Sequence, residues 1–378
     1  MASKKSDDRK IILIVGGGGY GGVLAHELSA KLDASLYSLV VVNPRPYYIH
    51  YVAAARFSAS SVGNIEDRAL VSYDRLFVNG NGTLVQGKVT SIHESEKGRG
   101  GHVELDNGET LPYDTLILAP GSKWPGPLGY PDDDAGLRSQ LKEWRSKFAA
   151  AKEIAVVGGG AVGIELSGEL RDAFPSKKIY LVHAESQLLN AAYPDKFRSY
   201  IATKVTKHNI ELILGDKLEV PSEGTVGVQT KNGRSLPNVD LVVPAFGPQP
   251  NTAFISTLDP SILTSRGLVK VNPTLEVQNH PGVFALGDVL DLPEQKQLGK
   301  NGWQTPVVAA NLLSFLAGQP LKKLYKSPAE MIVIPVTKTD GASYFGILWG
   351  IMLGGWVTSL IKGDLIIGMY RKKFGHAS

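Results

Sequence analysis

Apolar and polar positions divide the chain into a unit that occurs twice. Ile11 to Val15 is an apolar run that stops at Gly16-Gly17-Gly18-Gly19-Tyr20-Gly21, and apolar residues at helical spacing follow through Val23, Leu24, Leu28 and Leu32. Leu39 to Val42 is a second apolar run. A short apolar run closed by a glycine turn predicts a buried strand, and recurrence every three or four residues predicts a helix. The same order returns about 140 residues later: Ile154 to Val157, then Gly158-Gly159-Gly160-Ala161-Val162-Gly163, a helix through Leu166 and Leu170, and a strand at Ile179 to Val182. Two strand–turn–helix–strand units predict two nucleotide-binding domains in one chain.

The remaining pattern fills in around them. Leu84 to Leu111 carries strand-like stretches with glycine-rich breaks, and Leu116 to Ala119 reads as a buried strand closed by Pro120-Gly121. Leu241 to Val243 runs into the breaker cluster Gly247-Pro248-Gln249-Pro250-Asn251, read as the crossing back into the first domain. Val283 to Leu286 is a further strand, closed by Gly287-Asp288. Thr305-Pro306 predicts a helix start, with Thr as N-cap and Pro at the first helical position, and Gly318 and Pro320 lie past its end. Near the C-terminus, Met331 to Val336 reads as a strand, Lys338 to Gly341 as a hairpin turn, Ser343 to Leu348 as the returning strand, and a helix-like stretch runs to Ile361. The expected fold class is α/β: two Rossmann-like dinucleotide-binding domains plus a small C-terminal α+β domain. The expected boundaries are 1–125 with 253–325, 126–252, and 326–378.

Composition removes several chemistries. The 378 residues contain no Cys, which excludes disulfides, a Cys nucleophile, cysteine-ligated metal and a redox dithiol. The eight His residues are scattered, none three to five apart, so no local His pair for a metal is drawn and no metal site is expected. The net charge of +4 is spread over short basic runs, which reads as solvated surface; nucleic-acid binding is not expected. The polar start with Asp7 and Asp8 shows no secretory signal pattern, and Ala2 stands where N-myristoylation needs Gly.

Gly16, Gly18 and Gly21 form G-x-G-x-x-G after a strand and at the opening of a helix. The first Gly permits the tight turn, the second lets a pyrophosphate approach, and the third lets helix and strand pack closely. The helix N-terminus then offers free N–H groups to the phosphates. At the end of the second strand, where an acidic ribose ligand is usual, stands Asn43; Asn still bonds a ribose hydroxyl but supplies no charge. Gly158, Gly160 and Gly163 repeat the motif, with His183 at the corresponding strand end. His does not repel a 2′-phosphate, and Lys177 and Lys178 add nearby positive charge, so NADPH is permitted as well as NADH. Two fingerprints and a late strand closed by Gly287-Asp288 resemble the two-dinucleotide flavoprotein reductases. That likeness implies FAD in the first domain, NAD(P)H in the second, and Asp288 on the ribityl chain of the flavin. Arg45 and Val89 complete the candidate FAD set.

The chain further resembles the apoptosis-inducing-factor-like flavoproteins, which include ferroptosis suppressor protein and its fungal homologues. The matching stretches are IVGGGGYGGVLAHEL, YIHYVAAAR, LILAPGSKW, IAVVGGGAVGIELSGEL, LVHAES and VFALGDV, and Gly121 to Trp124 points most to fungal members. The resemblance implies NAD(P)H:quinone oxidoreductase activity. Two departures bear on FAD retention: Ala119-Pro120-Gly121 replaces the family's Ala-Thr-Gly, and Asn43 replaces the usual acid.

Three residues are candidates for the chemistry. Glu165 is expected to position the nicotinamide ring, or else to pair with a basic residue. Lys123 is expected either to reach the flavin or to lie on the surface, and Trp303, with Gln304, either to wall the site or to be a core aromatic. The helix opening at Thr305-Pro306 is expected to aim its positive end at the flavin. Without Cys, electrons must leave the flavin directly, to quinone, oxygen or a protein carrier. Gly341 to Ile361 is a span of 21 residues without a charge, holding Trp349 and Trp356. It reads as a transmembrane helix, as a strand and membrane-facing helix finished by Arg371-Lys372-Lys373, or as a buried or homodimer surface; the second reading is preferred. The expected setting is the cytoplasmic side of a membrane: lipid droplet, plasma membrane or mitochondrial outer membrane. The alternative function is a redox-signalling flavoprotein with slow NAD(P)H oxidation and nucleic-acid binding.

Overall fold

The computed structural model describes residues 8–362 and 364–377. Lys10–Val15 (β1) forms a central strand because Ile12, Leu13 and Ile14 are apolar on both faces and fully buried. The helix Gly21–Lys31 (α1) and the strand Tyr37–Asn43 (β2) complete the first unit. Thr83–Gln86 (β3) follows, then Val89–Glu94 (β4), Gly101–Leu105 (β5), Thr110–Tyr113 (β6) and Thr115–Leu118 (β7). The second unit comprises the helix Asp134–Ala150 (α2), Glu153–Val157 (β8), Ala161–Ala173 (α3) and Lys178–His183 (β9). It continues with Asp195–Lys207 (α4), Ile210–Leu214 (β10) and Val239–Pro244 (β11). The chain then returns through Val283–Ala285 (β12) and Asn301–Leu316 (α5). The C-terminal part holds Met331–Pro335 (β13), Gly341–Phe345 (β14), Ile351–Leu353 (β15), Gly355–Lys362 (α6) and Ile367–Lys373 (α7).

β12-β7-β1-β2-β3 form a five-stranded parallel sheet, and β10-β9-β8-β11 a four-stranded parallel one. In each, the strand carrying the glycine turn lies inside the sheet, so its carboxyl end opens where the connections diverge. Ligands bind at such points in open α/β sheets. β4-β5-β6 is a three-stranded antiparallel sheet between β3 and β7. The two crossings between the halves lie side by side: Ser122 and Lys123 pair antiparallel with Pro250 and Gln249, and the Asn251 amide donates to the Gly121 carbonyl over 2.9 Å.

The C-terminal part differs from the pattern read from sequence. β13 and β14 form the expected hairpin, but β14 stops at Phe345, and β15 turns back onto it before α6 begins. Gly350 at φ +93° and the positive φ of Leu348 and Trp349 make the tip that separates β14 from β15. The 21-residue uncharged span is thus strand, tip, strand and short helix. Among the described residues no helix is long and apolar enough to cross a membrane, which removes the transmembrane reading. This part packs on the second half, with the Val336 carbonyl so close to Gly168 of α3 that any β-carbon there would collide with it. Asp340 pairs there with Lys204 at 2.9 Å and His208 at 3.0 Å. α7 then crosses to the first half, where Phe374 stacks on Tyr48 at 4.7 Å.

A second correction concerns α5. A single turn at Leu298–Lys300 leads into it, and it starts at Asn301, with Pro306 inside. Thr305 is therefore not its N-cap.

Candidate functional site

One cavity of about 2220 Å³ runs from the end of β1 to the end of β8 and reaches the C-terminal part. Its first wall is the turn after β1. Gly16 has φ +100°, and a β-carbon there would sit 2.3 Å from the Ala119 carbonyl oxygen. One on Gly21 would sit 1.9 Å from the Gly16 carbonyl oxygen, so α1 packs directly on the turn. At Gly18 an added β-carbon would meet no protein atom within 4 Å; the residue faces the cavity.

Asn43 Oδ1 accepts from the Gly17 amide over 3.1 Å, and its Nδ2 donates to the Arg45 carbonyl over 2.8 Å. Asn43 thus ties the turn to the end of β2. Arg45 lines the cavity while donating to the carbonyls of Pro131 and Tyr130 and pairing with Asp132 at 3.1 Å. Val89 is a buried wall residue at the start of β4. Asp288 also faces the cavity and accepts from Ser122 Oγ over 2.9 Å. Desolvation pushes the Asp288 carboxyl upward, while the Ser122 hydrogen bond and the nearby Lys296 ammonium pull it back. Gly287, just before it, donates its amide to Gln304 Oε1 over 2.7 Å.

The turn after β8 repeats the geometry. Gly158 has φ +124°, Gly163 would bring a β-carbon 1.8 Å from the Gly158 carbonyl oxygen, and Gly160 faces open space. His183 Nδ1 lies 3.1 Å from the Gly159 amide and accepts from it, so the ring proton sits on Nε2, which makes no hydrogen bond. Burial pushes the His183 pKa down, which keeps the ring neutral at pH 7. The expected help from Lys177 and Lys178 is absent. Lys177 donates to the Ala149 and Ala151 carbonyls and Lys178 pairs with Glu211, so the strand start holds both away from the cavity at the opposite end of β9. Lys217 and Lys231 line the cavity instead.

Gly18 and Gly160 are cradles that a side chain would fill. Together with the amides of the two helix starts they fit two dinucleotides bound at opposite ends of one cavity.

Glu165, one turn into α3, lines the cavity and is paired with Lys362 at 2.6 Å; both side chains are largely buried. Lys362 escaped the sequence reading, although it is the first charged residue after the uncharged span and ends α6. Lys123 is exposed on the crossing strand and lines the cavity. Trp303 does not: it is 44% exposed and outside the cavity wall. Because α5 starts at Asn301, Trp303 and Gln304 are neighbours on a helix and point about 100° apart. Gln304 is the buried one, holding the Gly287 turn and donating to Glu294. The first residue of α5 touches the first cradle, since Asn301 Nδ2 donates to the Gly19 carbonyl over 2.7 Å.

Two glycine cradles on one cavity, with a Gly-Asp turn closing the flavin-type half, define an oxidoreductase that joins a flavin to a pyridine nucleotide. The family model described as pyridine nucleotide-disulphide oxidoreductase matches residues 9–311, and the chain belongs to that family. FAD and NAD(P)H are the cofactor and co-substrate that go with it, and the cradles fit both. The family's disulphide has no counterpart here, as the chain has no Cys. The FAD-dependent oxidoreductase FVFD30 of Flammulina velutipes is 47% identical over 315 residues, which is 82% of this chain and 97% of that protein. Ferroptosis suppressor protein 1 of Taeniopygia guttata is 28% identical over 385 residues, 99% of each chain. The resemblance to the apoptosis-inducing-factor-like flavoproteins therefore stands. The sulfide:quinone oxidoreductase of Aquifex aeolicus superposes with a TM-score of 0.76 at 16% identity, over 97% of this chain and 92% of that one, which establishes likeness of fold.

Proposed function

We propose that the chain is an NAD(P)H:quinone oxidoreductase that meets its acceptor at a membrane surface. One observation carries the reading: the cavity joining both cradles continues onto the C-terminal part, and that part presents apolar side chains outward. Met331, Ile332, Val333, Lys362 and Ile366 line the cavity. Trp349, Trp356 and Leu360, on the tip and on α6, are 101%, 77% and 76% exposed. Exposed aromatic and aliphatic residues in one short segment suit the interfacial layer of a bilayer, where a lipid-soluble quinone is available. Of the terminal basic run, Lys372 is exposed, whereas Lys373 is turned inward onto Asn301 at 3.2 Å.

FAD, when bound, accepts a hydride from the nicotinamide and passes two electrons on. The chain supplies the rest. The two glycine turns hold the diphosphates. His183 fixes the second turn through the Gly159 amide, and Asp288 is placed to accept from a hydroxyl of the flavin's ribityl chain. Reducing a quinone to a quinol takes one proton beyond the hydride. Lys362 Nζ, hydrogen-bonded to Glu165 Oε1 at the cavity wall, is placed to hold that proton.

The test is an anaerobic titration of the FAD-loaded protein with NADH, then NADPH, then a soluble ubiquinone. Flavin bleaching followed by prompt reoxidation is expected. Bleaching without reoxidation by quinone overturns the acceptor. For the surface, the wild type is expected to sediment with anionic vesicles and the double variant Trp349→Asp/Leu360→Asp to stay in solution with its soluble-quinone rate unchanged. A wild type that ignores vesicles but dimerises assigns this face to a second copy instead.

A further inference from the structure

The register of β4 and β5 sets His93 directly opposite His102 and Ser91 directly opposite Glu104. Ile92 and Val103, the pair between them, are fully buried. Side chains alternate across a strand, so Ser91, His93, His102 and Glu104 form a square on the outer face of the sheet. The two imidazoles stack at 4.8 Å between ring centres. Ser91 Oγ donates to Glu104 Oε2 over 2.7 Å and lies 3.0 Å from His93 Nε2, so one hydroxyl holds both side chains in place. Glu104 has no Lys or Arg partner among the described residues; its Oε1 lies 3.5 Å from His93 Nε2. A donor atom from each of His93, His102 and Glu104 lies within 4.8 Å of the other two. None of the three lines the cofactor cavity, although Val89 and Thr90, at the other end of β4, do.

We propose that His93, His102 and Glu104 bind a divalent transition ion of the Zn²⁺ type, at a site separate from the redox cavity. Two imidazole nitrogens and one carboxylate oxygen are a donor set for Zn²⁺, Ni²⁺ or Cu²⁺, leaving a fourth position for water. Mg²⁺ and Ca²⁺ need more oxygen donors than this face offers. Tetrahedral bonds of about 2.1 Å place donors about 3.4 Å apart. The His93–Glu104 pair already has that separation, and the wider contacts close by rotation of side chains at the surface. Ser91 acts as the outer partner of Glu104, holding Oε2 so that Oε1 faces the ion, and releases His93 Nε2 when that nitrogen takes the ion. The site joins neighbouring strands, so a bound ion ties β4 to β5.

The experiment uses the FAD-loaded full chain after chelator treatment, titrated with Zn²⁺ against a chromophoric chelator. One ion per chain is expected. Each of His93→Ala, His102→Ala and Glu104→Gln is expected to weaken binding by more than the roughly tenfold that loss of an outer partner costs, and Ser91→Ala by about that tenfold. His376→Ala, remote on the C-terminal segment, is expected to leave binding unchanged. With Cu²⁺, electron paramagnetic resonance is expected to show two coordinated nitrogens, falling to one in His102→Ala. Unchanged NAD(P)H oxidation in every variant reports that the fold is intact. A wild type without stoichiometric Zn²⁺ binding, or binding that survives all three ligand substitutions, overturns the site.

Discussion

At the first turn the Gly17 amide donates to Asn43 Oδ1, and at the second the Gly159 amide donates to His183 Nδ1, each over 3.1 Å. The local device is the same: a strand-end side chain pins the residue after the first fingerprint glycine. What covers the two turns differs. Over the first, the Tyr73 hydroxyl donates to the Gly17 carbonyl, Asn301 donates to the Gly19 carbonyl, and Leu298 fills the space beside Gly19. The Phe374 ring sits 2.4 Å from where Gly22 would carry a β-carbon. These contacts come from three distant parts of the chain. The second turn has His183 and Leu188 against Gly159, and Gly160 is exposed. The cover lies on the backbone of the first turn and leaves Gly18 as open to the cavity as Gly160, so what it adds is a first cradle held in shape before any ligand arrives, and preorganisation of that kind strengthens binding.

Three experiments press on that difference. The largest effect is expected at His50, which fastens the covering segment: its Nε2 donates to the Leu365 carbonyl over 2.8 Å and its Nδ1 accepts from the Tyr48 hydroxyl over 3.0 Å. Burial pushes the His50 pKa down to about 4. The unfolded chain, with an ordinary value near 6.5, then binds a proton that the folded chain refuses, so stability is complete above about pH 6.5 and falls as pH drops toward 4. The loss amounts to roughly 3 kcal/mol across that window. Urea midpoints at the two ends are expected to show it, with flavin release following, and His50→Gln is expected to flatten the difference. A wild type and variant with equal slopes would remove His50 from the cover.

The second experiment separates the cradles directly. Neither Gly18 nor Gly160 has a protein atom within reach of an added β-carbon, and neither has a positive φ, so Val is accommodated by the protein alone. Gly18→Val is expected to weaken FAD binding by about 1–3 kcal/mol, roughly tenfold to a hundredfold. Gly160→Val is expected to keep its flavin and to raise the KM for NAD(P)H by a similar factor. Flavin loss in both would break the division of roles. The smallest effect is expected for Glu165→Gln, which keeps a hydrogen bond to Lys362 but loses the charge. Stopped-flow reduction by NAD(P)H is expected to slow about tenfold, the worth of one charge-assisted hydrogen bond, with FAD content unchanged. An unaltered rate would leave Glu165 as a tether for α6 and nothing more.

Much of this was legible along the chain. Strand and helix order near both fingerprints follows from local spacing, and Gly16, Gly21, Gly158 and Gly163 take the places that such turns demand. The errors share one cause. Thr305-Pro306 has the chemistry of a helix start, but Asn301 begins the helix four residues earlier, where its side chain reaches the Gly19 carbonyl. That contact spans 282 residues of sequence. Trp303, expected as a site wall or a core aromatic, is neither, since its place on the helix turns it to the surface while Gln304 beside it is buried. Lys177 and Lys178 were assigned to the second cradle by proximity in sequence, yet they occupy the far end of the strand from His183.

The two dinucleotide units, the Gly287-Asp288 turn and, through the lack of Cys, the exclusion of a protein disulfide from the electron path could all be read along the chain. Each is a property of residue type or of spacing within one element. Packing in three dimensions was needed to bring Lys362 to Glu165, to lay Phe374 and Asn301 over the first turn, and to set His93 opposite His102. These depend on strand register and on segments far apart in sequence, and the periodicity of a single element carries no record of which element it will pack against.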